Sequence, residues 1–187
     1  MDKHRCGWCI GDELYEAYHD EEWGLPVKDD STLFEFLLLE SFQAGLSWIT
    51  ILRKRENFRE AFDQFDYQKI AAYDQAKKDS LLQNAGIIRN RLKVNSSVSN
   101  ARAFMKIQKD YGSFSSYIWS FVDHKPIKNE LVNYKEAPAT TAISDAISKD
   151  LKKKGFKFVG STIIYAFMQA TGMVNDHETT CFRYNEV

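Results

Sequence analysis

Four residues able to bind a soft metal ion stand at the two ends of the chain: Cys6 and His19 near the start, His177 and Cys181 near the finish. The His-x-x-x-Cys spacing of the second pair puts imidazole and thiolate on one side of a helical or tight turn, which suits a tetrahedral ion. Cys6 also forms a Cys-x-x-Cys with Cys9, but no second such pair follows, which argues against a zinc ribbon. Four protein ligands leave no position for water, so an ion held this way is structural rather than catalytic. Joining positions about 160 residues apart would restrict the unfolded chain by about 5 kcal/mol, if the loop-entropy relation for disulfides is borrowed, with metal–ligand bonding in addition. The competing reading is of buried cysteines and hydrogen-bonded histidines, and spacing alone leaves both open.

A second candidate is Glu40. It follows the apolar run Phe36-Leu37-Leu38-Leu39 and at helical spacing shares a face with Phe36, Leu37 and Ala44. A carboxylate where leucine is expected must find partners or take a raised pKa, which makes it a functional-site candidate. The alternative is a carboxylate facing solvent at a helix end. Trp8, Tyr15, Tyr18 and Trp48 are aromatic groups that together would form a flat pocket, although each singly fits a hydrophobic core.

A third is the segment 81–91, which reads as a helix, a short hairpin and the start of a second helix. Gly86 is expected to supply a left-handed turn conformation. The backbone N–H groups of the turn and of the following helix start would then hold a phosphate, with Arg89, Arg91 and Lys93 adding charge. The usual second glycine of such a hairpin is missing.

The elements that must position these groups are helical almost throughout, since apolar spacing follows the helical period and only three prolines and nine glycines interrupt it. Asp12 is expected to cap a helix carrying Leu14, Tyr15, Tyr18 and His19 that ends at Gly24 and Pro26. Thr32-Leu33-Phe34-Glu35 fits a capping box opening the helix that bears Glu40. Gly45 breaks that helix and Ser47 opens the next. Further helices are expected over 66–74, 78–84, 90–110, 114–121, 144–154 and 161–171, with a loop at 126–140. The sum is an all-α protein, a compact orthogonal bundle rather than a coiled coil. It is read as one domain, in which 1–30 and 115–187 pack together as one lobe and 31–114 carries the hairpin in the other.

The bulk properties set limits. A 187-residue chain with 44% hydrophobic and 14% aromatic residues is long enough for a substantial core. No apolar run reaches the roughly 18 to 20 residues of a membrane span. Met1-Asp2-Lys3-His4-Arg5 is not followed by a signal-peptide core, so the cytoplasm is the expected compartment. Three cysteines are too few for a disulfide framework. A formal net charge of −1 gives no global attraction for nucleic acid, so any such affinity must come from local clusters at 53–55, 89–93 and 149–157.

Taken in order, these blocks resemble the bacterial 3-methyladenine DNA glycosylase I family of the helix-hairpin-helix superfamily. The resemblance runs nearly end to end. It rests on Arg5-Cys6-Gly7-Trp8, Tyr15-Glu16-Ala17-Tyr18-His19-Asp20, Glu22-Trp23-Gly24, Gln43-Ala44-Gly45-Leu46-Ser47-Trp48-Ile49-Thr50, Gly86-Ile87-Ile88-Arg89, Gly155-Phe156-Lys157-Phe158-Val159-Gly160, and Val174-Asn175-Asp176-His177 with Cys181.

The resemblance implies one structural zinc ion held by Cys6, His19, His177 and Cys181, with no role for Cys9. It implies that Glu40 and Tyr18 serve catalysis and that Trp48, Tyr15 and Trp8 line the lesion pocket. Leu46 is implied as the group that fills the gap left by a flipped nucleotide, and Gly86, Ile87, Arg89 and Arg91 as the DNA-backbone contact. The implied activity is excision of N3-methyladenine from double-stranded alkylated DNA by a monomer. N-alkylation leaves adenine cationic and its glycosidic bond weak, so little acid catalysis is needed. Many relatives in the superfamily carry a catalytic aspartate some twenty residues beyond the hairpin, but between Arg89 and Lys109 this chain has no Asp or Glu. The hairpin has no lysine where bifunctional relatives form a Schiff base, so hydrolysis without strand cleavage is expected. Three other readings are kept: a wider alkylpurine range, a zinc protein that only binds DNA, and a helical scaffold for another protein.

Overall fold

Ten α-helices supply nearly all the regular structure of residues 3–187, the residues that this computed structural model describes. Met1 and Asp2, which open the charged N-terminal stretch, lie outside the described residues. The helices are α1 (Glu13–Glu21), α2 (Asp30–Gln43), α3 (Trp48–Leu52), α4 (Arg55–Ala61), α5 (Tyr67–Ala71), α6 (Gln75–Gln83), α7 (Arg91–Tyr111), α8 (Phe114–Trp119), α9 (Ala142–Lys153) and α10 (Ser161–Ala170). The all-α expectation holds. Two strands of two residues each, β1 (Ile127–Lys128) and β2 (Val174–Asn175), pair in parallel, with Ile127 opposite Val174. They bring the 126–140 segment, otherwise without long elements, against the C-terminal segment that carries His177 and Cys181.

The helix starts follow local chemistry. Asp12, Asp29, Asp66, Asp74, Asn90, Ser113 and Thr141 each accept a hydrogen bond from a first-turn N–H. This chemistry also corrects several expected bounds. The capping box at Thr32 does not form, because Asp29 accepts from both the Thr32 N–H and its hydroxyl and starts α2 earlier. Glu35, its supposed partner, instead binds Arg55 at 2.6 Å and Arg59 at 2.8 Å. The span expected over 78–84 begins at Gln75 behind the Asp74 cap, and that over 66–74 contracts to α5 behind Asp66.

α2 is the central element. Leu33, Phe34, Phe36, Leu37, Leu38, Leu39 and Phe42 are all buried, so the helix is apolar on almost every side. α3, α7, α8 and α10 pack around it. Glu40 lies in this helix and is carried into the interior with its neighbours, so the solvent-facing alternative does not apply.

At the other end of the site, α1 ends at Glu21 and the chain turns through Gly24, whose φ is +82°. A Cβ there would come 2.8 Å from Nε2 of His177. Glycine is therefore required twice over, for the backbone conformation and for the approach of the C-terminal segment.

Candidate active site and metal centre

α1 gives consecutive residues to two different sites: Tyr18 faces a pocket and His19 a cluster of metal-binding groups, both side chains being buried.

The cluster unites the two chain ends. Cys6 Sγ, His19 Nε2, His177 Nδ1 and Cys181 Sγ lie within 4.8 Å of one another, and all four residues are buried. Sulfur–nitrogen separations are 3.5 Å (Cys6–His177), 3.4 Å (Cys181–His19) and 3.6 Å (Cys181–His177). Tetrahedral coordination with metal–sulfur bonds of about 2.3 Å and metal–nitrogen bonds of about 2.0 to 2.1 Å puts sulfur and nitrogen about 3.6 Å apart, the spacing of these three pairs. The second ring nitrogen of each histidine is also held. His19 Nδ1 donates to Asp20 Oδ1 at 2.9 Å, and Arg5 holds Asp20 in turn. His177 Nε2 donates to the Trp23 carbonyl at 3.2 Å. Such partners fix the tautomer and turn the remaining lone pair toward an ion. A hydrogen bond from the Cys6 thiol holds Cys181 far below the ordinary thiol range and favours its thiolate. The site therefore fits a metal ion bound by two imidazoles and two thiolates. Cys9 stays apart from it, its thiol donating to the Cys6 carbonyl at 3.2 Å.

Beside the cluster is a cavity of about 230 Å³. Trp8, Tyr15, Tyr18, Glu40 and Trp48 all line it, so residues from the N-terminal segment, α1, α2 and α3 meet as the sequence suggests. Glu40 is 2% exposed and its Oε2 has no hydrogen-bond partner among the described residues. Burial pushes its pKa well above the usual carboxylate value of 4.5. Burial likewise raises the Tyr18 phenol, and the nearby Glu40 charge adds to this. The Tyr18 ring is 5.6 Å from that of Trp48, and Trp8 meets Tyr15 edge-on at 4.8 Å. The indole N–H groups of Trp8 and Trp48 also lack partners. Of four such unsatisfied buried atoms among the described residues, three thus belong to pocket-lining side chains, which is the signature of a site awaiting a polar, flat ligand.

The rest of the lining was not singled out from the sequence: Trp23, Gln43, Tyr134, Ala137, Ala166, Gln169 and Asp176. Asp176 is immobilised by Tyr165 at 2.7 Å, Gln169 at 2.8 Å and Asn129 at 2.6 Å. Its place in the block Val174-Asn175-Asp176-His177 is the sequence signal for it. Tyr134 and Ala137 come from the 126–140 segment, held by a Tyr134 N–H bond to Glu178 Oε1 of 2.9 Å. Leu46 is not part of the cavity; it stands 42% exposed on the turn between α2 and α3.

The hairpin differs from expectation in three respects. Gly86 is not in the left-handed region; what a larger residue would meet there is crowding, since a Cβ would lie 3.1 Å from Asn57 and 3.0 Å from Asn84 Oδ1. Its N–H donates to Asn84 Oδ1 at 2.8 Å, and Asn90 takes those of Leu92 and Lys93, which leaves the N–H groups of Ile88, Arg89 and Arg91 without acceptors among the described residues. Ile87 is 3% exposed and anchors the hairpin in the core, whereas Arg89 and Arg91 are exposed. Lys93 is buried and adds no surface charge. Nor do residues 53–55 form a basic patch, because Arg53 pairs with Asp12, and Arg55 with Glu22 and Glu35.

Comparison with known proteins agrees with this site. Residues 8–184 match the family model described as methyladenine glycosylase. The chain is 52% identical over 180 residues to DNA-3-methyladenine glycosylase 1 of Escherichia coli (strain K12), covering 96% of each. A crystal structure of 3-methyladenine DNA glycosylase I superposes with a TM-score of 0.93 at 52% identity, covering 96% of this chain and 98% of that one. A second, of a variant of such an enzyme in complex with 3-methyladenine, superposes with a TM-score of 0.92 at 36% identity, covering 95% and 96%. With fold, near-complete coverage and a ligand-hungry aromatic pocket in agreement, the chain belongs to the methyladenine glycosylase family.

Proposed function

We propose that this protein hydrolyses the N-glycosidic bond of N3-methyladenine in alkylated double-stranded DNA, releasing the base and leaving an abasic site for base-excision repair. The observation that carries the reading is Glu40, a buried carboxylate with a partnerless oxygen in an aromatic pocket. The relatives' names, and the base bound in one relative's crystal, support the same substrate.

The substrate base is cationic and its glycosidic bond already weak, so the protein's task is to extract and hold it. Flipping costs a few kcal/mol of unstacking. Stacking of the cation on Trp48 returns about 0.5 to 2 kcal/mol. Glu40 accepts a hydrogen bond from the exocyclic amine, and the positive charge draws its carboxyl toward the ionised form. Tyr18 positions the base from the side, with Tyr15 and Trp8 completing the wall. Leu46, exposed on the turn between α2 and α3, enters the stack where the base has left. Gly86 and Ile87 shape a helix-hairpin-helix contact at which the free N–H groups and Arg89 and Arg91 meet phosphates. Residues 90–109 contain no carboxylate, so water captures the sugar without activation from that stretch, and no hairpin lysine cleaves the strand.

Zinc is the ion we assign to Cys6, His19, His177 and Cys181, where it would supply a structural crosslink and no chemistry. The protein acts as a monomer in the cytoplasm, and the chain is a single domain of two lobes, 31–114 bearing the hairpin and 1–30 packing with 115–187. No helix among the described residues is long and apolar enough to cross a membrane.

The test is a base-release assay on duplex DNA carrying N3-methyladenine, N7-methylguanine or hypoxanthine, for wild type and Glu40→Ala. Release of N3-methyladenine by wild type alone is expected. Undiminished release by the variant, or strand cleavage by wild type, would count against the mechanism.

A further inference from the structure

Lys93 is the third residue of α7, just past the hairpin, and is 5% exposed. No carboxylate among the described residues pairs with its ammonium. Nζ donates instead to the carbonyls of Phe42 at 2.8 Å and Ala44 at 2.7 Å, with the Phe158 ring 5.9 Å away. Burial alone lowers its pKa.

A buried cation without a counterion is costly, and its placement shows what it secures. Phe42 and Ala44 end α2, where the last carbonyls have no intrahelical donors and the helix dipole is negative. α2 has no backbone C-cap bond at Ala44. Beyond it the chain turns through 43–47, with a Leu46 N–H bond to the Gln43 carbonyl of 2.6 Å. That turn joins the helix of Glu40 to the helix of Trp48, contributes Gln43 to the pocket and exposes Leu46. The side chain that clamps it therefore comes from the first turn of the hairpin helix.

We propose that Lys93 is a positioning residue for base release from duplex DNA: it binds the carbonyls of Phe42 and Ala44 and so fixes the 43–47 turn, registering Leu46 against the hairpin that grips the backbone. This rests on the glycosylase reading above. The consequence is a side chain that touches neither base nor phosphate yet governs insertion into the duplex.

The experiment compares wild type with Lys93→Met, similar in length but without donors, and Lys93→Arg, which keeps them. Single-turnover release from methylated duplex is measured beside affinity for free 3-methyladenine, read by tryptophan fluorescence. Lys93→Met should slow release by about tenfold or more, the scale of a small misplacement of reacting parts, with affinity for the free base nearly unchanged. Lys93→Arg should recover most of the rate. In a Leu46→Ala background the Lys93→Met effect should largely vanish, since the two changes act on one step. If Lys93→Met does not fold, Lys93→Leu, also without donors, serves in the same comparison. Unchanged release, or loss of release in parallel with free-base affinity, overturns the proposal. Failure of wild type to release any base would instead overturn the glycosylase reading.

Discussion

The ring of Tyr18 stands 5.6 Å from the ring of Trp48, and the next residue along α1 is His19, whose Nε2 lies 3.4 Å from Cys181 Sγ. One wall of the pocket is thus a single residue removed from the metal cluster. Trp8 extends the link, with its ring 6.5 Å from Tyr18 and 5.5 Å from His19.

Metal removal should accordingly disturb the pocket as well as the fold. A chelator, or Cys181→Ala, is expected to cost about 5 kcal/mol or more of stability, since the crosslink closes nearly the whole chain. Thermal melts with and without chelator, together with metal content, check this. One zinc per chain and recovery of base release on adding zinc back are expected; an unchanged melting temperature in the stripped protein would remove the structural role.

Glu40→Gln keeps the shape of the side chain and loses its charge. Hydrogen bonds to charged groups contribute about 1.5 to 3 kcal/mol, so single-turnover release of N3-methyladenine should fall by about 10- to 150-fold. Circular dichroism of the variant should match that of wild type. Release within a factor of about two of wild type would show that the carboxylate charge is not used.

The same substitution should stabilise the protein in a pH-dependent way. Burial raises the folded-state pKa of Glu40 above 4.5, so the folded protein keeps a proton that the unfolded chain gives up. Stability from this group is complete below about pH 4.5 and is lost as pH rises toward and through the raised folded value. The melting temperature of Glu40→Gln, relative to wild type, should therefore be level in acid and increasingly higher toward neutral pH. A difference independent of pH would mean that Glu40 titrates normally in the fold.

Arg89 and Arg91 are the exposed cations of the hairpin, whereas Lys93 beside them is buried. Arg89→Ala and Arg91→Ala should each reduce the slope of log affinity against log salt by about one for undamaged duplex. Lys93→Met should leave the slope alone. Fluorescence anisotropy over a salt series separates the cases, and identical slopes in all variants would place the backbone contact elsewhere.

Much of this protein was legible from its residues. Helix starts at Asp12 and near Asn90 follow from side chains that satisfy nearby N–H groups, a matter of local chain geometry. The four metal-ligand candidates and Glu40 stood out because cysteine, histidine and a carboxylate in an apolar run have few ordinary uses. The resemblance then joined them into one function. Other features had no local sign. Gly86 has the sequence setting of a left-handed turn residue, but the crowding at its Cα comes from Asn57, which is brought near by folding. Lys93 looked like one more surface cation, yet the α2 terminus meets it and takes it out of solvent. Tyr134 and Ala137 enter the pocket because the parallel pairing of β1 and β2 holds their segment against the chain that leads into His177. The sequence by itself determined which groups are chemically capable, because capability belongs to the side chain. Only the tertiary structure decided which of them are left without partners, Glu40 Oε2 and two indole N–H groups among them, because satisfaction depends on neighbours that the chain delivers from far away.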